Sequence, residues 1–326
     1  MLFIRRCKKR AGDMISAAVQ DGEGTRSEMD GTTECQSITS VPPYEMGDNS
    51  LRPELDSRVD RYGEPLPQEG RIPRNATISR ILQHVSVRSF IPDKKLPEGT
   101  LEILMAAAQS ASTGSMLQSW SAVAITDTEC KNHIATLSGE QDFIRQAPLF
   151  ILLCADLSRL HNASDHHGRP GDGAGLERID LFIMSTIDVA MAAQNASIAA
   201  ESLGLGICYV GGARNNTREL SDYLALPLHV VGLFGMAVGK AKPEHINAHK
   251  PRLPMNGVMH IDVWNGEERL KRIERYEEIL QKHYERHNKL GRPAWTATLA
   301  NFVKSGDLDG RGRMRHVLDL QGFKFT

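Results

Sequence analysis

From Glu177 to Leu203 the chain runs without a single Gly or Pro. Alanine recurs at Ala190, Ala192, Ala193, Ala196, Ala199 and Ala200, and the centre of the run is apolar nearly all round. A helix apolar on every face has to be buried, either in a large core or between subunits. Its small side chains let other backbones come close. Gly204 and Gly206 end it in the manner of a C-cap. Everything else in the chain has to be arranged around this helix.

The 326 residues allow one large domain, two small ones, or one domain with tails. Residues 1–75 are rich in Gly, Pro, Ser, Asp, Glu and Arg and poor in large apolar residues. Such a stretch cannot bury enough surface to offset its ordering entropy, so it reads as a low-order extension. Arg5, Arg6, Lys8, Lys9 and Arg10 form a basic cluster inside it, with no hydrophobic run behind them to make a secretory signal. The cluster reads as a solvated tail. Residues 76–326 read as a single body, with an arm from about 261 to 326 carrying its own apolar anchors.

The body alternates helical and strand signals. Ile78–His84 and Pro97–Ser110 read as helices, Trp120–Thr126 as a strand, and Cys130–Leu137 as a helix. Ala147–Ala155 reads as a buried strand. His161–Gly175 is expected to be a polar loop, and its histidines to be solvated. Ile207–Val210 and Val230–Val238 read as strands, and Glu267–Asn288 as an amphipathic helix.

Thirty-nine Lys and Arg against 40 Asp and Glu leave a net charge of -1. That gives no global attraction to nucleic acid or to an acidic membrane, so neither partner is expected. No span is expected to reach the ~20 apolar residues of a membrane helix. Five cysteines without C-x-x-C spacing suggest neither a zinc site nor a disulfide framework, and they suit a reducing, cytoplasmic compartment.

The motifs of classical acid–base and nucleophilic catalysis are missing. The chain has no G-x-G-x-x-G, no G-x-S-x-G and no H-E-x-x-H. A cofactor that brings its own chemistry needs only binding, orientation and electrostatics from the protein. Four segments offer these. His84-Val-Ser86-Val-Arg88 supplies a hydroxyl and a cation for an anionic group. Ser112 to Trp120 gives small hydroxylated residues that let a flat ring approach. Gly211-Gly212-Ala-Arg214-Asn215 follows a strand and exposes backbone N–H groups. Lys250-Pro-Arg252-Leu-Pro254 holds two cations between stiff prolines.

Taken in this order, the segments resemble the nitroreductase family of flavin enzymes. Within it they are similar to the NADPH-dependent oxygen-insensitive nitroreductases and NADPH–flavin oxidoreductases. The resemblance also includes Leu-Ser-Gly-x-Gln at 137–141 and the run from Ala192 to Asn216. It implies an α+β, nitroreductase-like fold: a mixed, mostly antiparallel central sheet flanked by helices, in a homodimer with tight, non-covalent FMN at the interface. The helix at 177–203 would be the central dimer helix.

By the same resemblance, Ser86, Lys250 and Arg252 hold the FMN phosphate, with His84 nearby, and Arg88 faces the pyrimidine edge. Thr113 and Gln141 bond the ring or ribityl chain. Gly211 and Gly212 present N–H groups to N5 and O4, so Arg88, Gly211 and Gly212 form the catalytic set. Arg214 and Asn215 line the pocket, Ser115 and Met116 sit at its mouth, and Arg292 reads the NADPH 2′-phosphate. Val85 stands where the family usually has Arg. The implied activity is ping-pong hydride transfer from NADPH through FMN to nitroaromatic, quinone or flavin acceptors. A flavin reductase feeding a partner monooxygenase and a non-catalytic FMN store are the alternatives. No metal is expected.

Overall fold

The computed structural model describes residues 61–62, 75–168, 173–245, 248–289, 291–305 and 311–325. All of them fall in one compact unit, Gly47–Thr326. Most of the extension expected to lack order lies outside the described residues. Arg61, Tyr62 and the α1 cap Asn75 are the exceptions; Arg61 and Tyr62 are helical, and Arg61 is buried.

Four strands make one sheet in the order β1-β2-β4-β3, with β1 Trp120–Ile125, β2 Leu149–Asp156, β3 Gly206–Val210 and β4 Val230–Gly239. Every pairing among these four strands is antiparallel, in keeping with the expected mostly antiparallel sheet. Among the described residues the parallel component is one isolated bridge, Ser86 to Ile207 on the outer edge of β3. All eight residues of β2 are buried. Leu149, Ile151, Leu153 and Ala155 face one core and Phe150, Leu152 and Cys154 face another. The unbroken apolar run at this position is what a strand covered on both faces requires. Gly235 on β4 is needed for the same reason, because a Cβ there would lie 2.0 Å from the Phe150 ring.

Helices cover both faces. α1 (Ala76–Leu82) starts at Asn75, whose side chain accepts from the Ile78 N–H. α2 (Thr100–Gln109) buries Thr100, Leu104 and Ala108, one stripe at i, i+4, i+8 spacing. α3 (Thr128–Leu137) is capped by Asp127, which accepts from the Cys130 N–H. α4 (Asp142–Gln146) and α5 (Ser158–His166) follow. α5 corrects the expected loop, because His161 and His166 lie on a helix. α6 (Ile179–Ser202) is the long helix, and α7 (Thr217–Tyr223) sits between β3 and β4. The arm folds as α8 (Arg269–Arg286), α9 (Trp295–Ser305) and α10 (Met314–Leu320).

α6 buries Val189, Ala192, Ala193, Ala196 and Ala200 against the sheet and α2. By length and composition it passes for a membrane span, which the sequence reading did not anticipate. Its packing on the sheet is that of a core helix. On its other side Ile179, Ile183 and Ile187, spaced four apart, are 55%, 47% and 51% exposed in the single chain.

Candidate functional site

The His84–Arg88 segment lies along the outer edge of β3. The Val87 N–H donates to the Ile207 carbonyl at 2.8 Å, beside the Ser86 bridge. Val87 and Val85 point into the protein, while Ser86 is half-buried and Arg88 is exposed. Period-two alternation therefore puts the polar members of the motif on the outside. The His84 Nδ1 is 2.6 Å from Oε1 of Glu201, a buried carboxylate on the last turn of α6.

The Lys250–Arg252 segment sits next to it. His249 Nε2 lies 3.2 Å from the Gln83 carbonyl, which ties the two segments together. Desolvation lowers the Lys250 ammonium from its ordinary range, and repulsion from Arg88, Lys289, Arg292 and Arg252 adds to this. The charged groups that shift Lys250 are thus all cations. Arg88 and Lys250 also both act on the buried Cys208 thiol, pulling against the burial that raises it. Arg88, Arg252 and Arg292, all singled out in the sequence, thus act electrostatically on Lys250. A hydroxyl at Ser86, an orientable imidazole at His84 and a surplus of positive charge make up the donor set of a phosphate cradle. The residues present fit an FMN phosphate.

The second cluster is built on the turn after β3. Gly212 packs directly on the Ser138–Gly139 turn, where a Cβ at Gly212 would lie 2.3 Å from the Ser138 carbonyl oxygen. Gln141 Nε2 donates to the Gly139 carbonyl at 3.1 Å, and Asn215 Nδ2 lies 3.1 Å from the space beside Gly139. Gly211, Gly212, Gln141 and Asn215 therefore come together. Arg214 Nη1 donates to the Leu233 carbonyl. A register shift between Leu153 and Cys154 skips Leu233 in the pairing with β4, and the bulge leaves that carbonyl available. Arg214 is lowered from its usual range by burial and by the neighbouring Arg311.

Arg311 was not anticipated from the sequence. It reaches in from the arm, and its Nε donates to Asn215 Oδ1 at 3.0 Å. A Cβ on Gly211 would have both guanidinium groups nearby, Arg214 at 3.6 Å and Arg311 at 3.8 Å. A cleft of about 620 Å³ opens beside them, lined in part by Arg214, Asn215, Arg218, Arg313 and Met314.

The third predicted segment is held elsewhere. Thr113 is extended, and Ser115 and Met116 take φ of 49° and 55°. Such values are uncommon for residues other than glycine. Buried Asp188 on α6 holds the loop by accepting from the Gly114 N–H at 2.9 Å, and Ser185 Oγ donates to the Ser119 carbonyl. Met116 is left 81% exposed. Asp188 and Glu201 are 13 residues apart on α6. That is about 20 Å along the helix axis at 1.5 Å per residue. The loop is therefore anchored near the middle of α6 and the His84 turn at its C-terminal end, well apart in one chain. Asp188 and Glu201 also escaped the sequence reading. The signal for them was an acidic residue in an otherwise apolar helix.

Residues 81–240 match the Nitroreductase family, and residues 250–326 match the Nitroreductase family C-terminal domain. A Bacillus subtilis protein named FMN reductase (NADPH) is 38% identical over 233 residues, covering 71% of this chain and 92% of its own length. The Salmonella typhimurium oxygen-insensitive NADPH nitroreductase is 36% identical over 208 residues, covering 64% of this chain and 82% of its own. The solved B. megaterium NfrA1 structure superposes with a TM-score of 0.71 at 37% identity, covering 77% of this chain and all (100%) of that one. The Vibrio harveyi NADPH:FMN oxidoreductase, solved with NAD+, gives 0.67 at 29% identity, covering 77% of this chain and 100% of its own. With its segments in this order, its α+β sheet and these matches, the chain belongs to the nitroreductase family.

Proposed function

We propose that this protein is an NADPH-dependent, FMN-using oxidoreductase that reduces nitroaromatic, quinone or flavin acceptors by a ping-pong mechanism. One observation carries the reading: the His249 contact to the Gln83 carbonyl at 3.2 Å ties the Lys250–Arg252 turn to the segment that bears Ser86 and Arg88, and Arg88, Arg252 and Arg292 all act on the Lys250 charge. Bound FMN supplies the chemistry, a ring that accepts hydride from NADPH and passes reducing equivalents to the acceptor.

The residues of the chain do the rest. Ser86, His84, Lys250 and Arg252 bind the phosphate. Arg88 places a positive charge at the pyrimidine edge, where negative charge builds on reduction, and a preorganised cation stabilises that charge in the transition state. The backbone N–H groups of Gly211 and Gly212 orient the reactive edge, with Thr113 and Gln141 on the ring or ribityl chain. Arg214, Asn215 and Arg311 form the cationic wall against which NADPH and the acceptor are oriented in turn. Arg292 takes the NADPH 2′-phosphate.

The chain acts as a homodimer in this reading. The exposed ridge of Ile179, Ile183 and Ile187 needs a cover, and a second copy supplies one. The loop at Thr113, Ser115 and Met116, anchored far from the His84 turn of its own chain, then completes the partner's site. The relatives' names, which include FMN reductase (NADPH) and oxygen-insensitive NADPH nitroreductase, support the activity.

The purified protein should be yellow, and anaerobic NADPH should bleach it. Initial rates at varied NADPH and quinone should give parallel double-reciprocal lines. A colourless protein that ignores added FMN, or intersecting lines, would overturn the proposal.

A further inference from the structure

Arg61 lies outside both family matches, which begin at residue 81. It belongs to the extension whose composition suggested no fixed structure, yet it is 6% exposed. Its guanidinium is engaged with the body through Nε and Nη2. Nη2 donates to the Leu82 carbonyl at 2.9 Å and to the His84 carbonyl at 2.7 Å, and Nε donates to Leu82 again at 3.2 Å. Its own carbonyl accepts from the Arg252 N–H at 2.7 Å. One residue therefore holds the His84 turn with its side chain and the Lys250–Arg252 turn with its backbone.

Each of these bonds has an electrostatic consequence for an anion bound nearby. Leu82 ends α1, so its carbonyl belongs to the negative end of a helix, and the His84 carbonyl follows it. Left bare, both would repel a phosphate. The planar fork of a guanidinium satisfies both at once in a fixed geometry, whereas a lysine ammonium on its flexible stem is not preorganised for the pair. Arg61 also stands within electrostatic range of Arg252 and Glu201, the carboxylate that holds His84.

We infer that Arg61, brought by the segment that precedes the family body, is a positioning residue for the cofactor phosphate. It staples the His84 turn to the Lys250–Arg252 turn and neutralises the carbonyls that would oppose the anion. This rests on the FMN reading above.

The test compares FMN with riboflavin, which has the same ring and no phosphate. Both are titrated by flavin fluorescence into the full-length chain stripped of flavin. The wild type should bind FMN far more tightly than riboflavin. Arg61→Ala should weaken FMN by about tenfold or more, the scale of losing hydrogen bonds to a charged group, and leave riboflavin within about twofold. Equal loss for both ligands, or no loss for either, would overturn the inference while leaving the FMN reading standing. A wild type that binds the two flavins equally would overturn the phosphate cradle itself. Should Arg61→Ala fail to fold, Arg61→Lys keeps the charge and one carbonyl contact. It should show the same FMN-selective loss at about threefold, and an unchanged FMN-to-riboflavin ratio in that variant would equally reject the staple.

Discussion

Gly212→Ala tests whether the turn after β3 and the Ser138–Gly139 turn form one rigid unit. The added Cβ would lie 2.3 Å from the Ser138 oxygen and 3.2 Å from its carbonyl carbon. Both are backbone atoms, so no rotamer change relieves the clash, and one turn has to move by about 1 Å. Overpacking of this kind costs about 1–3 kcal/mol. At roughly 2–4 °C per kcal/mol for a body of this size, Tm should fall by about 2–12 °C. The larger effect should be on rate, because the moving turns carry Gln141 and Asn215. A 1 Å misplacement can cost about a hundredfold in a reaction that depends on alignment. Stopped-flow bleaching of the FMN-loaded variant by NADPH reads this directly. Gly211→Ala is the internal control for folding. Its new methyl would meet only flexible guanidinium ends, at 3.6 Å and 3.8 Å, and the flavin-free protein should melt like wild type. If Gly212→Ala melts and bleaches as wild type does, the packing argument is wrong.

Four further outcomes are expected. Arg88→Ala should slow flavin reduction by about 10–100-fold while weakening FMN by much less, since the charge acts on the developing anion; equal factors in rate and affinity would reject that role. Arg292→Ala should raise KM for NADPH by about tenfold and leave NADH unmoved, the loss of one charge-assisted contact; an equal effect on both nucleotides refutes the 2′-phosphate assignment. His229 is held below its ordinary 6.5 by burial and by His161, with Lys324 adding and Glu177 opposing. The unfolded chain then binds this proton more readily, so stability is full above 6.5 and falls as pH drops below it; His229→Gln should flatten Tm between about pH 7 and pH 5, and an unchanged slope would discount this histidine. Burial, with the Asp156 charge, pushes the Cys154 thiol up to about 12. Cys130, Cys154 and Cys208 should resist alkylation in the native protein, and mass spectrometry showing their rapid labelling before unfolding would contradict the buried assignment.

The long helix and the buried β2 strand were legible because periodicity and continuous apolarity are local properties. The four cofactor segments were legible because their residue types and order are local too. What escaped depends on contacts between distant positions. Asp188 is 74 residues from Gly114, and Arg311 is 96 from Asn215. No spacing rule links such pairs. Arg61 was hidden differently, since a composition argument about a whole extension says nothing of one side chain with a place to dock. α5 reads as a loop in the sequence because its polar residues leave it no buried face. Among the described residues the sheet's single parallel contact falls at Ser86, where two strands' worth of pattern was never present.

That contact links binding to solubility. β3 is the last strand of the sheet, and its outer edge would otherwise offer unpaired N–H and C=O groups to any passing chain. The Ser86 bridge and the Val87 N–H occupy this edge at Ile207. A lesion that loosens the His84–Arg88 segment therefore does more than empty a phosphate site. It uncovers a template for strand addition, so such variants should be lost first to aggregation during expression and only secondarily to weak catalysis.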